Sequence, residues 1–296
     1  MTWEYSEDSL IEQTAIDLFF HRLGWDTLLA FNKENFGEGS TLGRLSKKEV
    51  VLKRILLEKL RLFNPGLQEK AYLEAYEKLT EESITRTLAE INFEKYRYMR
   101  DGIQILTPNP SPNGEGNREG DREGEMVSKT LKLFDFENPE NNHFLAVRQL
   151  WIQGKSNRER RPDIIGFVNG IPLLFIELKA AHRKLENAYN DNFNDYKDVI
   201  PKLFYYNAFV VLSNGIESRI GSVTGKYQHF HEWKRITEED DGVVALDRII
   251  VGVCEKSRFM DMFENFILFD NSMGKVVKLI ARNHQFIGVN KAIENI

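Results

Sequence analysis

The chain has one cysteine, Cys254, so an internal disulfide is excluded and a reducing cytoplasm is the expected compartment. No apolar run approaches the ~18 residues of a membrane helix. The first ten residues, MTWEYSEDSL, are acidic and polar, which argues against a signal peptide. Six histidines are scattered and none pairs with Cys254 at zinc-finger spacing. An excess of positive charge is also lacking. The formal net charge is -5 and the pI about 5.8, which argues against a freestanding, sequence-indifferent DNA binder but not against a nuclease that borrows DNA affinity from partners. No internal repeat is visible.

What is present reads as α/β with a mixed sheet. Residues 9–23 are an amphipathic helix, with Ile11, Ala15, Leu18 and Phe19 at helical spacing and Gly24 as its stop. Helical pattern continues over 45–62 and 66–90, broken at Pro65. Residues 107–125, TPNPSPNGEGNREGDREGE, read as a mobile loop or insertion. Strands are expected at 128–136, 144–152, 163–168, 172–179, 209–215 and 248–254, the last making Cys254 a buried strand thiol. A helix is expected over 183–199, and helical pattern again over 258–296.

The stretch RRPDIIGFVNGIPLLFIELKAA, 160–181, carries charge where the surroundings are apolar. An unpaired charge in such a sheet costs roughly several kcal/mol unless it is neutralised. Asn169-Gly170 is a strong hairpin signal. Alternation puts Glu177 and Lys179 on one strand face. Asp163, fourteen positions before Glu177, joins them only if the hairpin holds one residue more than a strict two-residue loop, as a longer loop or a bulge near Pro172. Asp163 is therefore expected opposite Glu177. Two such carboxylates can hold Mg²⁺, which takes oxygen ligands, and a neighbouring lysine can orient water or offset charge on a phosphate. The bland reading is a strand-start aspartate and an exposed edge pair. Lys155, Arg158, Arg160 and Arg161 flank the strand pair on one side, and Lys179, His182, Arg183 and Lys184 on the other. They are either solvated faces or phosphate contacts.

At these residues the chain resembles the PD-(D/E)XK nucleases, and more closely the N-terminal part of the restriction subunit of type I restriction–modification enzymes. The resemblance runs through SEDSLIEQTAIDLFFHRLGW (6–25), YRYMRDGIQI (96–105), FENPENNHFLAVRQLWI (136–152), RRPDIIGFVNGIPLLFIELK (160–179), IPKLFYYNAFVVLSNG (200–215) and NHQFIGVNKAI (283–293). It implies a restriction-endonuclease-like core with a mixed sheet flanked by helices. It implies Mg²⁺ held by Asp163, Glu177 and the Leu178 carbonyl, and Lys179 as the catalytic lysine. Glu12 matches an acidic residue on the family's first helix, although Ser9-Leu-Ile-Glu12 is also spaced as a capping box. Asn192 and Tyr196 match a Gln-x-x-x-Tyr pair facing the site or DNA, with Asn one methylene shorter than Gln. Gln149 lines the site or is structural polar filler. Arg160 and Arg161 are candidate DNA contacts.

Family members continue into a DNA translocase, yet no G-x-x-x-x-G-K-[ST] occurs here, so the chain is expected to be a fragment. Residues 1–257 would be the endonuclease domain and 258–296 a helical connector. The resemblance implies double-stranded DNA as substrate, modification and specificity subunits as partners, ATP used only through the translocase, and no membrane. The rival readings are a self-standing PD-(D/E)XK nuclease, a non-catalytic docking module whose charged residues are structural, and an RNA-binding α/β domain.

Overall fold

The computed structural model describes residues 7–31, 34–108, 126–241 and 246–295. At its centre is a seven-stranded mixed sheet flanked by helices, an α/β architecture compatible with a restriction-endonuclease-like fold. The strands lie side by side in chain order: β1 (Asp26–Leu29), β2 (Phe144–Arg148), β3 (Ile164–Val168), β4 (Ile171–Leu178), β5 (Phe209–Ser213), β6 (Ser218–Gly221) and β7 (His231–Glu232). The β1–β2 and β4–β5 pairs are parallel and the others antiparallel. Every residue of β3, β4 and β5 is buried, which is why these strands read as continuous apolar runs rather than alternating ones.

The β3–β4 hairpin sets the register on which the site depends. Asn169 (φ 51°) and Gly170 (φ 79°) both adopt the left-handed backbone that a tight primed turn requires. The turn is buried. Asn169 Nδ2 donates to the Leu133 carbonyl and to Asn142 Oδ1, both at 2.8 Å, and its Oδ1 accepts the His143 amide. The Leu52 amide donates to the Gly170 carbonyl at 2.8 Å, and a Cβ at Gly170 would stand 2.6 Å from the Leu52 carbonyl oxygen. Pairing begins as Val168 with Ile171 and Phe167 with Pro172, then jumps to Gly166 with Leu174. Leu173 is the extra residue of a β-bulge. Ile164 consequently faces Ile176, and one step further the same register sets Asp163 beside Glu177. The additional residue that the sequence demanded is a bulge, not a longer loop.

Helices α1 (Glu7–Asp17), α2 (Lys53–Phe63), α3 (Glu69–Thr80) and α4 (Leu88–Asp101) precede β2; the first continues as a π-helical turn, Leu18–Arg22. Residues 45–52, 66–68 and 81–87, expected helical, are not. The strand expected at 128–136 is Met126–Leu131, paired with Ile103–Pro108 in a separate ribbon. Of the loop read at 107–125, Thr107 and Pro108 end a strand and the remainder lies outside the described residues. Residues 185–199 are helical as expected, with a π-helical segment at Ala188–Phe193 followed by α5 (Asn194–Val199).

The strand expected at 248–254 is instead helix α6 (Leu246–Cys254), and Cys254 is a buried helix thiol whose carbonyl accepts the Trp25 indole N–H at 3.0 Å. A short apolar run has no decisive period, and here Gly252 admits the Trp233 indole against the helix. Helix α7 (Lys256–Asn265) brings Phe259 within 5.7 Å of Trp25 and 5.3 Å of Phe209 between ring centroids, so the core continues across residue 257. The tail then forms a second ribbon, Ile267–Asp270 with Val277–Ile280, before α8 (Asn283–Glu294). In that ribbon Ile267 and Lys278 are buried, whereas Leu268, Val277 and Leu279 are exposed. Among the described residues, no helix is long and apolar enough to cross a membrane.

Candidate active site

The end of β4 brings the charged residues together. Glu177 is 2% exposed, on the strand face that also carries Phe175. Its Oε1 lies 3.4 Å from Lys179 Nζ, two residues on along the same face. Among the described residues, its Oε2 is buried without a hydrogen-bond partner. Burial pushes the Glu177 carboxyl well above the usual range; Asp163 and, more weakly, Glu12 push it further, while Lys179 opposes them. Asp163 occupies the bend just before β3, where its Oδ2 accepts the Leu178 amide at 2.7 Å. That bond crosses the mouth of the hairpin and fixes the aspartate beside the glutamate.

Glu12 reaches the same region from α1 and is 5% exposed. Ser9 lies inside the helix, so Glu12 is not the third residue after a cap. Its carboxylate accepts Arg148 Nε at 2.6 Å and Gln149 Nε2 at 2.8 Å. The clamp that Arg148 and Gln149 form on Glu12 had no local sequence signal, because the partners are more than a hundred residues apart. The polar pair Arg148-Gln149 at the end of an apolar strand was the only hint.

Over the Glu177 face lies the helical run 185–199. Tyr196 is buried, its ring centroid 5.8 Å from that of Phe175. Burial, then the charges of Glu177 and Asp163, raise its phenol far above the ordinary tyrosine range, against a hydrogen bond with Asn192 that lowers it. Asn192 and Tyr196 are thus joined to each other, and the tyrosine lies in the field of the two carboxylates.

The two arginines are engaged within the fold. Arg160 makes a two-pronged ion pair with Asp195, through Nε and, at 2.9 Å, Nη2. The Arg161 guanidinium stands 4.4 Å from the Phe31 ring centroid and 5.2 Å from that of Trp151. His182, Arg183 and Lys184 are exposed just beyond Lys179.

The donor set suits a hard divalent cation, which takes oxygen ligands. Glu177 Oε2 is an unpartnered buried carboxylate oxygen, and the surrounding carboxylates raise the cost of its charge until a cation offsets it. Among the described residues, no group of three or more His, Cys, Asp or Glu is placed to hold a metal ion. Mg²⁺ is commonly bound by one or two carboxylates and keeps several waters.

A mixed sheet with Asp, Glu and Lys gathered where two central strands meet is an arrangement compatible with the restriction-endonuclease-like class. Residues 4–229 match the family model described as the type I restriction enzyme R protein N terminus, and the chain belongs to that family. It is 34% identical over 299 residues to the type I restriction enzyme HindI endonuclease subunit of Haemophilus influenzae, an alignment spanning 96% of this chain and 26% of that protein. It is 27% identical over 322 residues to the putative type I restriction enzyme MjaIXP endonuclease subunit of Methanocaldococcus jannaschii, spanning 98% of this chain and 28% of that protein. The chain thus spans about a quarter of the length of these curated relatives.

Proposed function

We propose that this chain is the Mg²⁺-dependent DNA endonuclease domain of a type I restriction subunit, hydrolysing phosphodiester bonds of double-stranded DNA. The observation that carries this reading is Glu177: a fully buried carboxylate with one unpartnered oxygen, beside a second carboxylate and a lysine. A buried charge set of this kind is costly as architecture and useful as a site. Asp163 and Glu177 would hold the cation, with the Leu178 carbonyl as a further ligand. The bound cation would polarise the phosphodiester and lower the pKa of an attacking water. Lys179 orients that water and offsets charge building on the phosphate. Its Nζ contact with Glu177 holds the ammonium on the same strand face as the carboxylates. Tyr196 and Asn192 wall the site from the helix above, and Glu12 contributes negative charge from α1. DNA affinity, ATP-driven translocation and site recognition fall to the rest of the subunit and to modification and specificity subunits, in keeping with the acidic character of this chain.

The test is supercoiled-plasmid cleavage by the intact complex with Mg²⁺ and ATP, comparing wild type with Asp163→Ala, Glu177→Ala and Lys179→Ala. Each variant is expected to lose about a hundredfold or more of cleavage while ATP hydrolysis persists. Retained cleavage in all three moves the site elsewhere and leaves this stretch as sheet architecture.

A further inference from the structure

Gln149 follows β2 with φ 55°, in the left-handed region that a residue of its kind seldom adopts. The conformation sends its two hydrogen-bonding ends to different elements. Its backbone amide donates to the Asp163 carbonyl at 2.9 Å. Its side-chain amide donates to both Glu12 carboxylate oxygens, at 2.8 and 3.1 Å. Backbone strain persists only where its surroundings over-determine it, and such positions cluster at functional sites. Arg148, the preceding residue, grips the same Glu12 carboxylate. The strand end is thereby bound to α1 on one side and to the Asp163 bend on the other.

We propose that Gln149 is a positioning residue for the metal-binding carboxylates, fixing the Asp163 bend against Glu12 and so setting where the Asp163 carboxylate meets Glu177. The proposal rests on the metal-site reading above. It gives Gln149 no contact with cation or DNA. Its effect passes through the groups it holds, as outer hydrogen-bond partners tune metal ligands.

The experiment is thermal melting of the full-length subunit without nucleotide, titrated with Mg²⁺ alone, for wild type, Gln149→Ala, Gln149→Gly and Asp163→Asn. Glycine accepts the left-handed backbone without strain, so it separates loss of the side chain from loss of the fold. The expected result is a rise of about tenfold or more in the Mg²⁺ concentration at half-maximal stabilisation for both Gln149 variants. A purely structural Gln149 would lower the metal-free melting temperature and leave that midpoint in place, and this outcome in Gln149→Gly overturns the proposal. Loss of the Mg²⁺ response in Asp163→Asn with unaltered Gln149 variants removes only the positioning role. A wild type without any Mg²⁺ response, or an Asp163→Asn variant that keeps it, removes the metal-site reading and this proposal together.

Discussion

Two ionisable side chains are equally buried, at 2% exposure; burial disfavours the charge of both, raising the carboxyl and lowering the ammonium, and what differs is the neighbours. Glu177, in β4, sits among Asp163, Glu12 and Lys179, with one carboxylate oxygen unpartnered. Lys278, in the C-terminal ribbon, donates to the Asn207 carbonyl at 2.5 Å and lies 5.6 Å from the Phe269 ring centroid. Burial pushes its ammonium down to about 7. The lysine has a carbonyl acceptor and can satisfy its environment by giving up a proton. The glutamate has like charges around it and is relieved by a proton or a cation. Burial of a charge therefore does not mark a site by itself; the company it keeps does.

The comparison breaks most visibly in cleavage. Glu177→Ala is expected to reduce it about a hundredfold or more in the intact complex. Lys278→Met is expected to leave it within a factor of a few in the same plasmid assay. Comparable losses from both would end the distinction.

Stability against pH separates the two next. The Lys278 pKa is depressed in the fold, so its contribution is fully present above the unfolded value of 10.5 and is lost as pH falls towards about 7. Wild type should lose up to about 5 kcal/mol relative to Lys278→Met across that window, read by denaturant melts at several pH values. Glu177 has the opposite sign. Its folded pKa is raised, so its contribution is fully present below 4.5 and is lost as pH rises through the folded value. In chelator, Glu177→Gln should therefore melt a few degrees above wild type at neutral pH, with the gap closing on acidification towards 4.5. Added Mg²⁺ should close it too, and should not touch the Lys278 difference.

The smallest effect belongs to Arg161, whose charge rests between two aromatic rings rather than among acids. Arg161→Ala should cost about 1 kcal/mol in a denaturant melt and leave the Mg²⁺ midpoint unchanged. A shifted midpoint would make it part of the site.

The site was legible in sequence where its determinants are local. Asn169-Gly170 announces its own turn, and alternation along β4 places Glu177 with Lys179. Parity alone showed that one extra residue was needed for Asp163 to meet Glu177. Pro172 was the local sign of an irregular exit from the turn; that the extra residue is Leu173 depends on packing within the sheet. The ribbon at Ile267–Ile280 was hidden because its pattern is inverted: Leu268, Val277 and Leu279 face outward while a lysine is buried. Helix α6 was missed because its apolar run fits either period. The hold of Arg148 and Gln149 on Glu12 arises only when α1 packs against the end of β2.

Hairpin tips are ordinarily where related chains differ in length, since an exposed turn absorbs an added residue at little cost. The turn at Asn169-Gly170 has no such freedom, being sealed under Leu52, Leu133, Asn142 and His143. The count of residues from Asp163 to Glu177 is thereby frozen. Length variation has to occur outside this ruler: an epitope spliced into the turn would break its buried hydrogen bonds, and a one-residue slip in the pairing would put the two carboxylates on opposite faces of the sheet.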